Sequence, residues 1–153
     1  MLKREYEGQE LCSVAMTLEI VGERWTWLIV RDAFLGLTRF AQFQASLGVA
    51  RNVLSDRLNR LVAEGVFERA LYQERPPRYE YRLTAKGRDL FTALNALRQW
   101  GDCYLSDRPM RLLRVRGETT PVVAALVPQG TTVLRDDELE LVPGPGFPQQ
   151  PPD

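Results

Sequence analysis

Residues 51–61 read Arg51-Asn52-Val53-Leu54-Ser55-Asp56-Arg57-Leu58-Asn59-Arg60-Leu61, and two short apolar runs follow with Arg75-Pro76-Pro77-Arg78 between them. Val53, Leu54, Leu58, Leu61 and Val62 recur at helical spacing and form an inner stripe, which leaves the arginines and Asn52 on the outer side. The pattern is one amphipathic helix with a cationic outer face, then a hairpin whose tip carries two further arginines. A helix of this kind fits the major groove of DNA, and a basic hairpin tip reaches the neighbouring backbone or minor groove.

Working outward, the reading helix is expected over residues 50–64, with Gly65 stopping it. Gly48 makes the turn before it, and Thr38 is the expected N-cap of a short helix through Leu47 with Phe40 and Phe43 inward. Helix, glycine turn, helix at this spacing is a helix-turn-helix unit. Upstream, Leu11, Val14, Ala15, Leu18 and Val21 predict a first helix ending at Gly22. A second is expected over 23–35, with Trp25, Leu28, Ile29 and Ala33 as its inner stripe. Downstream, 66–72 reads as a strand, Pro76-Pro77 as a turn, and Tyr79, Tyr81 and Leu83 as the alternating return strand. Thr84 then caps a long helix over 85–105 whose stripe of Leu90, Phe91, Leu94, Leu97, Trp100 and Tyr104 exceeds what one small domain covers. Such a surplus is expected to be buried against a second copy, giving a homodimer built from this helix and the first one.

Beyond residue 106 the character changes. Short strands are expected at 112–116, 121–127 and 131–134, and the Pro- and Gly-rich ending from Pro143 is expected to be disordered. The expected organisation is an N-terminal arm (1–10), a winged helix-turn-helix and dimerisation domain (11–106), a ribbon-like β tail without metal ligands (107–142) and the Pro/Gly end (143–153). The fold class is mainly α with a small β wing, α+β.

The 153 residues have a formal net charge of zero, but the charge is unevenly spread. From Ala50 to Arg82 there are seven arginines against five acids, whereas from Gln129 onward Arg135 stands alone against Asp136, Asp137, Glu138, Glu140 and Asp153. It is the local field at a contact face that attracts phosphate, so the basic middle carries the argument. The chain has no histidine, which removes Ser-His-Asp and Cys-His nucleophile systems and His-containing zinc sites. Cys12 and Cys103 form no Cys-x-x-Cys pair, so neither a thioredoxin-like site nor a zinc cage is expected. With no Gly-rich phosphate loop either, no catalytic constellation is visible, and no enzyme activity or cofactor is expected. Met1-Leu2-Lys3-Arg4-Glu5 does not read as a signal peptide, and the run from Val122 to Val127 is too short to cross a bilayer. A cytoplasmic location with reduced thiols is the expectation.

Gly22-x-Arg24-Trp25-Thr26, Gly36-x-x-Arg39-Phe40, Leu54-Ser55-x-Arg57-Leu58-x-x-Leu61, Gly65-Val66-Phe67-x-Arg69 and Pro77-Arg78-Tyr79-Glu80-Tyr81-x-Leu83-Thr84-x-x-Gly87 together resemble the HxlR-type winged helix-turn-helix regulators, dimeric relatives of the MarR regulators. The order and spacing agree over about residues 11 to 105. The resemblance implies binding to a paired, palindromic operator, commonly beside the regulator's own gene, and response to a small molecule or an oxidant. Two departures stand out. The position before the reading helix, usually Ser in this family, is Ala50, and loss of such a cap costs about 1 kcal/mol. The tail resembles the zinc-ribbon-like tail of some members in length and in its closing Pro-Gly-Pro-Gly, yet has no Cys or His.

Arg51, Asn52, Ser55 and Arg57 fall in the first two turns of the reading helix, where Arg takes guanine bidentately and Asn takes adenine; the plainer reading is a solvated polar face. Asp56 is expected to pair with an arginine. Arg75 and Arg78 are expected to touch phosphate or the minor groove, and Arg39 to hold a phosphate at the start of its helix. Cys12 begins the first helix, where the family often has a cysteine that in some members senses oxidants, and Cys103 of the opposite chain is a candidate partner. Trp25, Trp27, Phe34 and Trp100, with Phe40, are candidates for an effector pocket or for ordinary core. The leading expectation is a homodimeric, sequence-specific DNA-binding regulator, a repressor, controlled by a small-molecule effector or by thiol oxidation. The alternative is a winged-helix module that binds protein, favoured by net neutrality and by Asp56.

Overall fold

The computed structural model describes residues 6, 8, 9 and 11–147. They fall into two compact units divided between Asp89 and Leu90. The first holds α1 (Ser13–Val21), α2 (Thr26–Phe34), α3 (Phe40–Leu47), α4 (Arg51–Ala63), the hairpin β1 (Phe67–Gln73) and β2 (Arg78–Leu83), and the single turn α5 (Ala85–Arg88). The fold class is the expected one, a helical unit with a small antiparallel β wing.

α4 is organised by its inner stripe. Leu54, Leu58 and Leu61 are each at most 1% exposed, and every such leucine contributes roughly 1.5–3 kcal/mol when fully buried. Phe43 of α3 and Phe67 of β1 complete this core, their rings edge to face with centroids 6.5 Å apart. Gly48 ends α3 at φ 61, a left-handed conformation that costs a side chain 1–2 kcal/mol and glycine almost nothing, and so reverses the chain into α4. At the other end of α4, Val66 N–H donates to Leu61 O and Gly65 N–H to Val62 O, which closes the helix and starts the wing.

The inner face of α2 differs from expectation. Trp25 is not part of the helix but precedes it at φ 78, and the helix begins at Thr26. The buried positions are Thr26, Ile29, Val30 and Asp32, whereas Leu28 is exposed and Trp25 half-buried. Restarting the helix three residues late rotates which side chains face the core. α3 likewise starts at Phe40, with Arg39 rather than Thr38 as its cap residue. Gln42 Oε1 accepts from both Thr38 N and Arg39 N, at 3.1 and 2.8 Å.

In the wing, Phe67 faces Leu83 and Leu71 faces Tyr79, with an irregularity between Leu71 and Gln73. The wing is fastened to the helices along β2: Tyr81 N–H donates to Thr38 O at 2.7 Å, and Arg39 bridges to Glu80.

The expected single helix over 85–105 is interrupted. Asp89 and Leu90 keep right-handed backbone angles but with ψ of −17 and −9, too shallow to continue the α-helical ladder. α5 is pinned where it lies. Thr84 Oγ1 accepts from Gly87 N–H and donates to Gly65 O, and a Cβ on Gly87 would overlap the carbonyl oxygen of Val66.

The second unit holds α6 (Phe91–Tyr104), β3 (Arg111–Val115), a 3₁₀ turn (Asp136–Glu138) and β4 (Leu139–Pro143). β3 pairs antiparallel with β4, Arg111 facing Pro143 and Val115 facing Leu139, with Leu113 and Leu139 buried. The strand expected at 112–116 is present. Of that expected at 121–127, only a bridge from Pro121 to Arg114 forms, and 131–134 is loop. β4 was not expected as a strand at all. The ending thought disordered is ordered through Phe147: Gly144 N–H donates to Met110 O, Gly146 N–H to Pro109 O, and the Arg111 guanidinium lies 4.9 Å from the Phe147 ring centroid. Residues 148–153 of that ending, and most of the 1–10 arm, lie outside the described residues. Leu97, Trp100, Tyr104 and Leu105 of the second unit are each at least half exposed, as are Leu11, Val14 and Met16 of the first.

Two substitutions test this packing by chemical denaturation. Gly87→Ala forces a methyl against a backbone carbonyl and should destabilise by about 1–3 kcal/mol. Ala50→Ser should stabilise by about 0.5–2 kcal/mol, because Ala50 sits at the N-cap of α4 in an extended conformation with no side-chain acceptor for the first-turn amides. No gain from Ala50→Ser would mean that those amides are already satisfied.

Candidate nucleic-acid interface

α4 presents Arg51, Asn52 and Ser55 from its first two turns. Arg51 and Asn52 are exposed and Ser55 half-buried. Among the described residues none of the three side chains has a hydrogen bond or ion pair. Arg51 stacks over Phe40, its guanidinium 5.2 Å from the ring centroid, which steadies the side chain while leaving its donors open. Arg75 and Arg78 at the wing tip are likewise exposed, and no described residue pairs with their side chains.

Four other arginines of this unit, Arg39, Arg57, Arg60 and Arg82, are engaged by acids of the hairpin, of α4 and of the α1–α2 turn. Arg57, expected to read bases, is turned inward. Its Nη2 pairs with Glu23, its Nη1 with Asp56 Oδ2 at 2.6 Å, and its Nε donates to Arg24 O at 3.3 Å. Arg60 pairs with Glu23 and donates to Glu19 O. Asp56 therefore has its arginine, Arg57, while Arg60 faces the α1–α2 turn. Arg39 is stacked 4.5 Å over Tyr72 and donates from Nε to Glu80 Oε1 at 3.2 Å. Arg82 donates to the second oxygen of Glu80 at 2.9 Å, and Arg69 lies 4.1 Å over Tyr79. Glu23 and Glu80 are the residues that sequence reasoning missed, since each pairs with an arginine more than thirty positions away, Arg57 and Arg39, and periodicity carries no sign of that.

The remaining candidates are spread out. Cys12 is half-buried at the N-cap of α1, its N–H donating to Gln9 O, and Cys103 is exposed on α6; both are free thiols. Trp25, Trp27 and Phe34 are half-buried in the first unit, whereas Trp100 belongs to the second, where it is 56% exposed and stacks on Tyr104 with centroids 5.4 Å apart. The four are therefore not gathered within one unit. Among the described residues no group of three or more His, Cys, Asp or Glu could hold a metal ion, and no helix is long and apolar enough to cross a membrane.

The Arg82 guanidinium, and after it that of Arg39, hold the Glu80 carboxyl below its ordinary value of 4.5. A depressed folded value means that this carboxylate stabilises the native state above its unfolded value, and that the contribution is lost as pH falls through the folded one. An NMR titration should place the Glu80 midpoint below 4.5, and Glu80→Gln should remove this part of the acid sensitivity; a midpoint at or above 4.5 would show the cluster open in solution.

Comparison with known proteins agrees with this geometry. Residues 20–109 match the model of the HxlR-like helix-turn-helix family. An HTH-type transcriptional regulator of Mycobacterium tuberculosis is 53% identical over 104 residues, covering 68% of this chain and 64% of that protein. The chain thus spans just under two thirds of the length of the mycobacterial relatives it matches. Among solved structures, the candidate transcription factor PA1607 superposes with a TM-score of 0.70 at 46% identity, covering 80% of this chain and 87% of that one. The redox regulator HypR in its reduced form superposes at 0.56 with 30% identity, covering 59% and 90%. Arrangement and sequence coincide over the reading helix and the wing: the chain belongs to the HxlR-like helix-turn-helix family.

Proposed function

We propose that this chain is a sequence-specific DNA-binding regulator of transcription, a repressor, that acts as a homodimer on a palindromic operator. One observation carries the reading. Within the first unit, Arg51 at the start of α4, near Asn52 and Ser55, and Arg75 and Arg78 at the wing tip have no ion pair among the described residues, while Arg39, Arg57, Arg60 and Arg82 are neutralised by Glu23, Asp56 and Glu80. Arg24 and Arg69, also without an acid partner among them, lie against Trp25 and Tyr79, and Arg88 donates to Leu83 O. An open cation at a helix N-terminus next to an amide and a hydroxyl is the donor and acceptor set that reads base edges, and a cationic hairpin tip suits phosphate. Arg51, Asn52 and Ser55 are assigned to bases, Arg75 and Arg78 to the backbone or minor groove. Arg39 reaches phosphate only by exchanging Glu80 for it.

Dimerisation is supported by the exposed apolar side chains of α1 and α6, which a second copy would cover. The controlling signal is assigned to Cys12 oxidation. Its support is the half-buried thiol at the start of α1 and the likeness to HypR, a redox regulator. An effector held by Trp25, Trp27 and Phe34 is the second reading, favoured by their half-buried rings in one unit.

Fluorescence anisotropy on DNA from beside the gene, over a salt series with unrelated competitor, tests the reading. Arg51→Ala should weaken operator binding by about 1–3 kcal/mol and relax the preference at one base. Arg75→Ala and Arg78→Ala should weaken binding on all sequences and each reduce the salt slope by about 1. Diamide should release the operator in the wild type and not in Cys12→Ser; release in both moves the signal to Cys103, and release in neither moves it to an effector. Binding that never outlasts competitor would point instead to a protein-binding winged helix.

A further inference from the structure

Glu23 lies in the turn between α1 and α2, and its carboxylate is where two arginines of α4 meet. Oε2 pairs with Arg57 Nη2 and Oε1 with Arg60 Nη1. Both guanidiniums are held a second time by backbone of the same region: Arg57 Nε donates to Arg24 O, and Arg60 Nη2 to Glu19 O. Residues three apart lie on one side of a helix at successive levels. The grip therefore fixes α4 both along its axis and in rotation about it. The three side chains are 18–24% exposed, so solvent screens these pairs less than it screens surface pairs.

The turn that supplies this grip is itself constrained. Trp25 holds φ 78, a conformation that a bulky side chain keeps only where its surroundings over-determine it. Its ring lies 5.8 Å from the Arg24 guanidinium, and the Arg24 carbonyl is one of the atoms that Arg57 grips. Turn and helix hold each other.

We infer that Glu23 is a specificity-determining positioning residue: without touching DNA it sets the placement of α4, and so the register in which Arg51, Asn52 and Ser55 meet the bases. The inference rests on the DNA-reading function proposed above. It makes Arg57 an anchor of the reading helix and not a reader. Its consequences for two kinds of DNA have opposite signs. Bidentate contacts to bases demand a fixed helix, whereas phosphate contacts are made from many orientations. Loss of the Glu23 carboxylate unfixes the helix and releases Arg57 and Arg60 as free cations. Operator binding weakens and binding to unrelated DNA strengthens. A residue that only supported the fold would weaken both together.

The test compares Glu23→Gln, Arg57→Met and Glu74→Gln, the last removing the same charge from an exposed position on the wing. Affinities for an operator selected from random sequence by the protein itself, and for unrelated DNA of equal length, are measured over a salt series alongside melting curves. Glu23→Gln should lower operator affinity about tenfold or more, raise affinity for unrelated DNA several-fold and steepen the salt slope by about 1–2. Arg57→Met should lower operator affinity with no loss of slope, and Glu74→Gln should raise both affinities by one factor. Parallel losses on both DNAs in Glu23→Gln, or a slope reduced by about 1 in Arg57→Met, would overturn the inference. Failure of the wild type to prefer any selected sequence would instead bring down the proposed function, and is seen before a variant is compared. Amide exchange without DNA gives an independent reading. Exchange in α4 should quicken in Glu23→Gln while α6 is unchanged, and unchanged protection of α4 would refute the positioning role by itself.

Discussion

The first unit depends on one requirement: α4 must be buried completely along one side while Arg51 and Asn52 stay open to solvent on the other. Leu54, Leu58 and Leu61 meet the first half of it, each fully buried in the unit whose core also holds the Phe43–Phe67 ring pair. Because the interior is close-packed, the side chains on the far surface of α4 inherit a fixed direction. The wing is placed by the same core. β1 begins with Phe67 inside it, four residues after α4 ends, and Gly87 allows α5 to approach the Val66 carbonyl where a side chain could not. Reading helix and wing are consequently two surfaces of one core and not two modules joined by a linker.

Charge is arranged around that core by sorting. The basic middle of the chain contains seven arginines, but their effect on a partner depends on which are already paired. Glu23 takes Arg57 and Arg60, and Glu80 takes Arg39 and Arg82. The Glu80 pairs, whose arginines are more than half exposed, add little to stability, commonly under about 1 kcal/mol each. The larger consequence of the pairing is for where positive potential is left: at Arg51 on the helix, and at Arg69, Arg75 and Arg78 on the hairpin. Aromatic rings do related work: Phe40, Tyr72 and Tyr79 each lie beneath a guanidinium, limiting its freedom without neutralising it.

Much of this was legible in the residue order, and the parts that were not share a cause. The inner stripe of α4, the glycine turn at Gly48 and the Pro-Pro hairpin are local patterns whose period directly reflects burial. The inner face of α2 was misread because its period was counted through Trp25, whose left-handed backbone resets the helix at Thr26. The long helix from Ala85 was misread at Asp89 and Leu90, where ordinary helix-compatible residues adopt a tighter turn. β4 was missed because Leu139-Glu140-Leu141-Val142 is flanked by acids and by Pro-Gly, which read as loop until β3 supplies its partner ladder. Arg57 looked like a reader because it sits one turn beyond Asn52, and only the distant Glu23 shows where its guanidinium goes. Patterns of period survive in one dimension; pairings across more than thirty residues do not.

The neutrality of the chain, which at first argues against a polyanionic partner, is better understood as a result of this sorting. Affinity for DNA of any sequence comes chiefly from the number of phosphates neutralised, so every arginine left open raises binding to all DNA alike. Discrimination comes from base contacts, which are few and need fixed geometry. A reading head that kept all seven arginines open would bind strongly and discriminate little, because competing sites vastly outnumber the operator. Pairing three of the seven, Arg57, Arg60 and Arg82, and also Arg39, with Glu23 and Glu80 lowers the indiscriminate part of the affinity, and the Glu23 pairs do so with contacts that hold the reading helix still. On the proposed function, the same carboxylates would thus subtract from affinity and add to selectivity, and an overall charge near zero would be the trace this leaves in the composition.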